Sequence, residues 1–154
     1  MKKFTLVATG GTFDIVHKGH LALLQKAFSV SSSVIIGLTS DELAIKKGKK
    51  TLNDFDSRRK NLKSIIEKEF PNSQYEISKL DNDFGPAVLE KDVQALVTSQ
   101  ETSYQGENLN KLREERNMSS IETIVVPMIL AGDGQRISTT RIRNSEIDSE
   151  GNLS

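Results

Sequence analysis

The chain's two histidines stand three residues apart, as His17 and His20 in the stretch GGTFDIVHKGH over residues 10–20. Residues three apart on a helix share a face, so the two imidazoles act on the same spot. Three chemistries suit such a pair. A metal site needs a third and usually a fourth ligand, and with no cysteine and no further histidine only carboxylates could supply them. A purely structural pair has one ring capping the helix and the other filling a gap. A phosphate site uses imidazole donors at a helix N-terminus, where aligned peptide dipoles favour negative charge. Such a site serves phosphoryl or nucleotidyl transfer, in which the protein positions groups and stabilises charge on the reacting phosphate. Gly10 and Gly11 allow a sharp turn with close backbone approach to an anion, and Gly19 carries no side chain to obstruct a nucleotide. The glycines match neither the dinucleotide loop nor the P-loop.

A second group lies far along the chain. Residues 137–143 read ISTTRIR, in which Ser138, Thr139 and Thr140 suit the start of a last helix and Arg141 adds charge. Alone, this is a plain helix cap or a phosphate grip. A third group is the basic run 46–63, which holds Lys46, Lys47, Lys49, Lys50, Arg58, Arg59, Lys60 and Lys63 against Asp54 and Asp56. From Arg58 onwards these side chains read as a solvated helix face. Lys46 to Lys50 read as an anion-facing loop.

The elements that must position these residues alternate. Segments 4–9, 33–40, 94–99 and 122–128 are short, rich in β-branched residues and bounded by turn formers, and 74–80 is a weaker fifth strand. Segments 19–29, 56–70, 85–92 and 106–117 carry helical periodicity. The alternation predicts an α/β fold, a Rossmann-like three-layer sandwich with a mainly parallel five-stranded sheet and helices on both faces. Ligands then bind outside the carboxyl ends of the strands, where strand order reverses.

The rest of the composition narrows the function. A chain of 154 residues suits one domain over 1–148, with a polar tail over 149–154. Lys plus Arg (21) equal Asp plus Glu (21), which gives no sign of a nucleic-acid or membrane-surface protein. The absence of cysteine excludes disulfides and thiolate nucleophiles. No segment reads as a signal peptide or a membrane span, and a cytoplasmic setting is the expectation.

The stretch GGTFDIVHKGH resembles the GxFDxxHxGH element of the HxGH nucleotidyltransferase superfamily, matching it at Gly11, Phe13, Asp14, His17, Gly19 and His20. ISTTRIR is similar to the element with which that superfamily grips the outer phosphates of its nucleotide. The stretches 81–88, 97–102, 108–117 and 137–148 together resemble the archaeal and eukaryotic type of phosphopantetheine adenylyltransferase, over residues 4–148. The resemblance implies transfer of an adenylyl group from ATP to 4′-phosphopantetheine with Mg²⁺, giving dephospho-coenzyme A and pyrophosphate by direct attack. It implies catalytic roles for His17, His20, Lys50 and Arg141. ATP contacts fall to Gly11, Thr12, Phe13, His20, Thr102, Ile137, Ser138, Thr139 and Thr140, and acceptor contacts to Thr12 and to Lys49 or Lys50. No protein metal ligand is implied. Ser99 to Thr102 stand where bacterial enzymes of this activity carry an Arg-Gly-x-Arg element, so their hexamer does not transfer and a monomer is expected. The alternatives are flavin or nicotinamide mononucleotide adenylyltransferase, a glycerol-phosphate-type cytidylyltransferase, and a degenerate nucleotide-binding regulatory domain.

Overall fold

In the computed structural model the described residues are 3–14, 16–48, 51–81, 92–99 and 105–126. Five strands, β1 (Phe4–Gly11), β2 (Ser31–Thr39), β3 (Tyr75–Leu80), β4 (Ala95–Ser99) and β5 (Glu122–Val126), form one sheet in the order β3-β2-β1-β4-β5. Every neighbouring pair is parallel. The helices are α1 (Lys18–Val30), α2 (Asp41–Lys46), α3 (Phe55–Glu69) and α4 (Gln105–Glu115). The expected alternation is thus realised in an α/β, Rossmann-like sheet.

Strand side chains alternate between two cores because successive Cβ atoms point to opposite faces. Val7, Val34, Ile36, Leu38, Ala95 and Val97 meet Leu23, Leu24 and Ala27 of α1 and Leu62 and Ile66 of α3. On the other face Ala8 and Ile35 meet Leu109 of α4, with Val93 and Ile121 from the flanking loops. Each fully buried leucine or isoleucine contributes about 1.5–3 kcal/mol. Helices therefore lie on both faces.

Helices α2 and α3 each start on a side-chain cap. Ser40 Oγ accepts from Leu43 N at 3.0 Å and starts α2; Asp54 Oδ1 accepts from Ser57 N at 2.8 Å and starts α3. That backbone bond holds the Asp54 carboxyl below its ordinary pKa, so its part in stability is present above the ordinary carboxylate range and is lost on acidification. Helix α2 was missed in the sequence because it is six residues long, too short for periodicity to register. The expected segment 85–92 falls almost wholly outside the described residues.

The chain reverses direction across the sheet between β1 and β4. Their backbone ladder covers Val7↔Ala95 and Ala8↔Leu96, although β1 runs on to Gly11 and β4 to Ser99. Beyond it the Thr9 hydroxyl donates to Val97 O at 2.8 Å. The end of this ladder at the carboxyl edge marks the crevice where α/β sheets take ligands.

Candidate active site

Helix α1 starts at that crevice, and both histidines build its first turn. His17 is the N-cap, with extended backbone, and its Nδ1 accepts from Gly19 N at 3.1 Å. His20 reaches back so that its Nδ1 accepts from His17 N at 3.2 Å. This is a capping box made of two imidazoles, in which two N–H groups of the helix start, those of His17 and Gly19, each find a ring nitrogen. The rings stack with centroids 3.9 Å apart and 22° between planes.

The arrangement fixes the tautomer. A backbone N–H only donates, so both Nδ1 atoms accept, and each neutral ring carries its proton on Nε2. Each neutral ring is then a donor through Nε2 beside one helix N-terminus, the place where peptide dipoles favour an anion. The capping and phosphate readings of the pair are therefore compatible, because they use different nitrogens. Among the described residues no group of three His, Cys, Asp or Glu converges.

Gly19 is required by this geometry. A Cβ there would lie 2.9 Å from His17 Cε1 and 3.1 Å from Nδ1. Alanine normally strengthens a helix over glycine by about 0.5–1 kcal/mol. Here Gly19→Ala must push the His17 ring out of the cap, so turnover is expected to fall at least about tenfold, since small misplacements at a reacting centre are costly. Steady-state kinetics beside a thermal melt checks this; unchanged turnover would show that the His17 position is unimportant.

The glycine pair does different work from that expected. Gly10 and Gly11 are not a turn: both belong to β1 and pair with Gly37 and Leu38 of β2. A Cβ on Gly10 would meet Gly37 O at 3.0 Å, and one on Gly11 would meet the Phe13 ring at 3.2 Å. The left-handed backbone falls instead on Phe13, at φ 49°, a conformation that costs a non-glycine residue about 1–3 kcal/mol. Phe13 is 1% exposed and its ring lies 4.9 Å from that of His20.

Around this turn the basic run behaves unlike a solvated face. Arg58 is 0% exposed. Its guanidinium donates to Thr12 O (2.9 Å), Thr39 O (2.7 Å) and Asn53 O (3.1 Å), and pairs with Asp41 Oδ1 at 2.8 Å. The Asp41 carboxylate also accepts from Phe55 N at 3.2 Å. One arginine thus joins the carboxyl ends of β1 and β2 to the starts of α2 and α3. The sequence carried the signal: Arg58 stands in four-residue register with Leu62 and Ile66, on the stripe of α3 that faces the core. Its neighbours Arg59, Lys60 and Lys63 are exposed, as expected.

Asp14, also buried, was legible only as a motif position. Its carboxylate accepts from Leu52 N (2.9 Å), Asn53 N (3.0 Å) and Asn53 Nδ2 (3.2 Å), tying the His17–His20 loop to the segment before α3. At the crevice, Thr98 Oγ1 near the end of β4 is buried without a hydrogen-bond partner.

Of the expected site residues, the structure brings Gly11, Thr12, Phe13, His17 and His20 to one place, the carboxyl end of β1. Lys49, Lys50, Thr102, Ile137, Ser138, Thr139, Thr140 and Arg141 lie outside the described residues.

Comparison with known proteins decides the family. The cytidylyltransferase-like family model matches residues 8–145. The chain belongs to the cytidylyltransferase-like family. Within that family it is similar to a phosphopantetheine adenylyltransferase of Methanothermobacter thermautotrophicus, at 40% identity over 99% of this chain and 91% of the relative. It is 41% identical to one from Pyrococcus abyssi, over 99% of this chain and 97% of the relative. A solved structure from Archaeoglobus fulgidus, described as a protein of unknown function, superimposes with TM-score 0.71 at 31% identity, covering 82% of this chain and 89% of that one. The family resemblance read from GGTFDIVHKGH is borne out.

Proposed function

We propose that this chain transfers the adenylyl group of ATP to 4′-phosphopantetheine, giving dephospho-coenzyme A and pyrophosphate. The observation that carries the chemistry is the imidazole capping box, which commits both Nδ1 atoms to the backbone and makes each neutral ring an Nε2–H donor at the N-terminus of α1. The acceptor follows from the full-length similarity to proteins named phosphopantetheine adenylyltransferase.

In the reaction a phosphate oxygen of 4′-phosphopantetheine attacks the α-phosphorus of ATP. The bond from that phosphorus to the bridging oxygen breaks, and its electron pair leaves with pyrophosphate. No covalent bond to the protein forms, so the protein's part is placement and charge stabilisation. His20 donates from Nε2 to the α-phosphate, and His17 supports it from the stacked position. Thr12 and Phe13 border the nucleotide and acceptor, beside Gly11. Lys49 or Lys50 neutralises the attacking and transferred phosphates. Ser138, Thr139, Thr140 and Arg141, with Ile137 before them, hold the departing pyrophosphate, and Thr102 contacts the adenosine.

The described residues suit Mg²⁺ that arrives on ATP and is held by phosphate oxygens and water, as is usual for this ion. Asp14 is the carboxylate of the histidine motif, and both its oxygens accept from the backbone of Leu52 and Asn53. When bound, the ion offsets phosphate charge. We further propose a cytoplasmic monomer of 17.1 kDa; no helix among the described residues is long and apolar enough to cross a membrane.

Purified protein incubated with Mg²⁺-ATP and each candidate acceptor tests the reading. Pyrophosphate release with 4′-phosphopantetheine is expected. Release with flavin or nicotinamide mononucleotide, or with CTP and glycerol phosphate, and none with 4′-phosphopantetheine, would overturn it.

A further inference from the structure

The Phe13 turn is strained, yet it presses against the reacting histidine, so something must hold it. Its φ of 49° lies in the left-handed region, which favours glycine, and its ring is buried against His20. Both peptide neighbours of Phe13 are tied down. On one side Thr12 O accepts from Arg58 Nη1 at 2.9 Å. On the other, Asp14 O accepts from Asn53 Nδ2 at 3.3 Å, while the Asp14 carboxylate accepts from Asn53 N and Nδ2. The circle closes at Asn53, whose own carbonyl accepts from Arg58 Nε at 3.1 Å.

We infer that Asn53 is a positioning residue for adenylyl transfer, acting through Asp14 and Phe13 on the His20 imidazole. Its side chain is the one member of the clamp that bonds both the carboxylate and the carbonyl of Asp14. Without it, Asp14 keeps the carboxylate bonds from the backbone of residues 52 and 53 but loses the bond on its carbonyl, so the residue that follows Phe13 is held by its side chain alone. The left-handed turn then relaxes toward ordinary φ, and the Phe13 ring moves from its place beside His20. The Nδ1 bond to His17 N still holds the His20 ring by one edge, but its packed face is lost. A strained residue fixed from both sides beside a reacting group is a device for placement. Placement matters here because the protein supplies little else to the reaction.

The inference rests on the adenylyl-transfer reading for its kinetic test, and a second readout keeps the two separable. Asn53 is only partly buried and Asn53→Ala keeps all of its backbone bonds, so the variant folds. Its turnover is expected to fall about tenfold, with KM for ATP changed far less. In a His20→Ala background the same substitution is expected to have no further effect, because the group it positions is gone. Asn53→Asp, which sets a second carboxylate against Asp14, is expected to follow Asn53→Ala, with a loss of turnover when His20 is present and no further loss in the His20→Ala background. A merely structural role would lower turnover by the same factor with and without His20. Independently of activity, the ring signals of His20 in the NMR spectrum are expected to shift in Asn53→Ala as the Phe13 ring current moves, while the backbone amide signals of α4 stay put. Equal losses in both backgrounds, unchanged wild-type turnover, or an unmoved His20 signal would each overturn the inference. An inactive wild type with a shifted His20 signal would count against the reaction and leave the clamp standing.

Discussion

His20→Ala is expected to lower turnover by at least about a hundredfold, the scale for losing one donor to a developing negative charge. The substitution removes two things: the acceptor of the His17 N–H, which caps the helix, and the Nε2–H, which the proposed reaction assigns to the phosphate. Losing the cap costs about 1 kcal/mol of stability, so a fall in melting temperature by itself does not explain a large loss of rate. His20→Glu separates the two. Glutamate at this third helical position is an ordinary member of a capping box and can accept from the His17 N–H. It has no donor and repels phosphate. We therefore expect His20→Glu to melt close to the wild type and to be at least as inactive as His20→Ala. If instead activity follows stability across the two variants, His20 is a structural cap and the phosphate role is wrong.

Arg58→Met is expected to destabilise the protein by about 3–5 kcal/mol, the range for removing one partner of a buried ionic network. The loss comes mainly from the buried carbonyl of Thr39 and the partly buried carbonyls of Thr12 and Asn53, which lose the guanidinium; an acceptor left unsatisfied in the interior costs about 1–3 kcal/mol. Asp41 is 43% exposed and water can replace its partner, so it adds less. Arg58→Lys cannot restore three directions from one ammonium and is expected to recover less than half of the loss. Arg59→Met, one residue along on the exposed side of α3, is expected to stay within about 0.5 kcal/mol of the wild type. Urea unfolding midpoints read all three. Equal small shifts for Arg58 and Arg59 would return Arg58 to the solvated face that the charge run first suggested.

Arg58 also marks where sequence reading stops. Strand and helix alternation was legible because the sheet buries both faces, which makes runs such as SVIIGLT conspicuous, and because α1 and α3 repeat their apolar residues at helical spacing. The family was legible because His17, Gly19 and His20 have rigid chemical reasons for their spacing: a cap, a space and a reaching ring. The glycine pair misled because a glycine permits both a turn and a close strand contact, and only the partner Gly37 decides between them. The left-handed residue fell on Phe13, where nothing in the residue type announces it. Arg58 was hidden by its neighbours, since a charge run gives the same composition whether one member turns inward or not. Its three carbonyl partners come from residues 12, 39 and 53, a convergence that no local window contains.

The central claim is that the two histidines are one phosphate-binding unit whose donors are set by the backbone. A long-range ¹H–¹⁵N correlation spectrum of the imidazoles, recorded with both rings neutral, tests it most directly. The account predicts that both rings carry the proton on Nε2, and that both Nε2 signals move when ATP is added. A proton on Nδ1 of either ring, or Nε2 signals unmoved at saturating ATP, would contradict it.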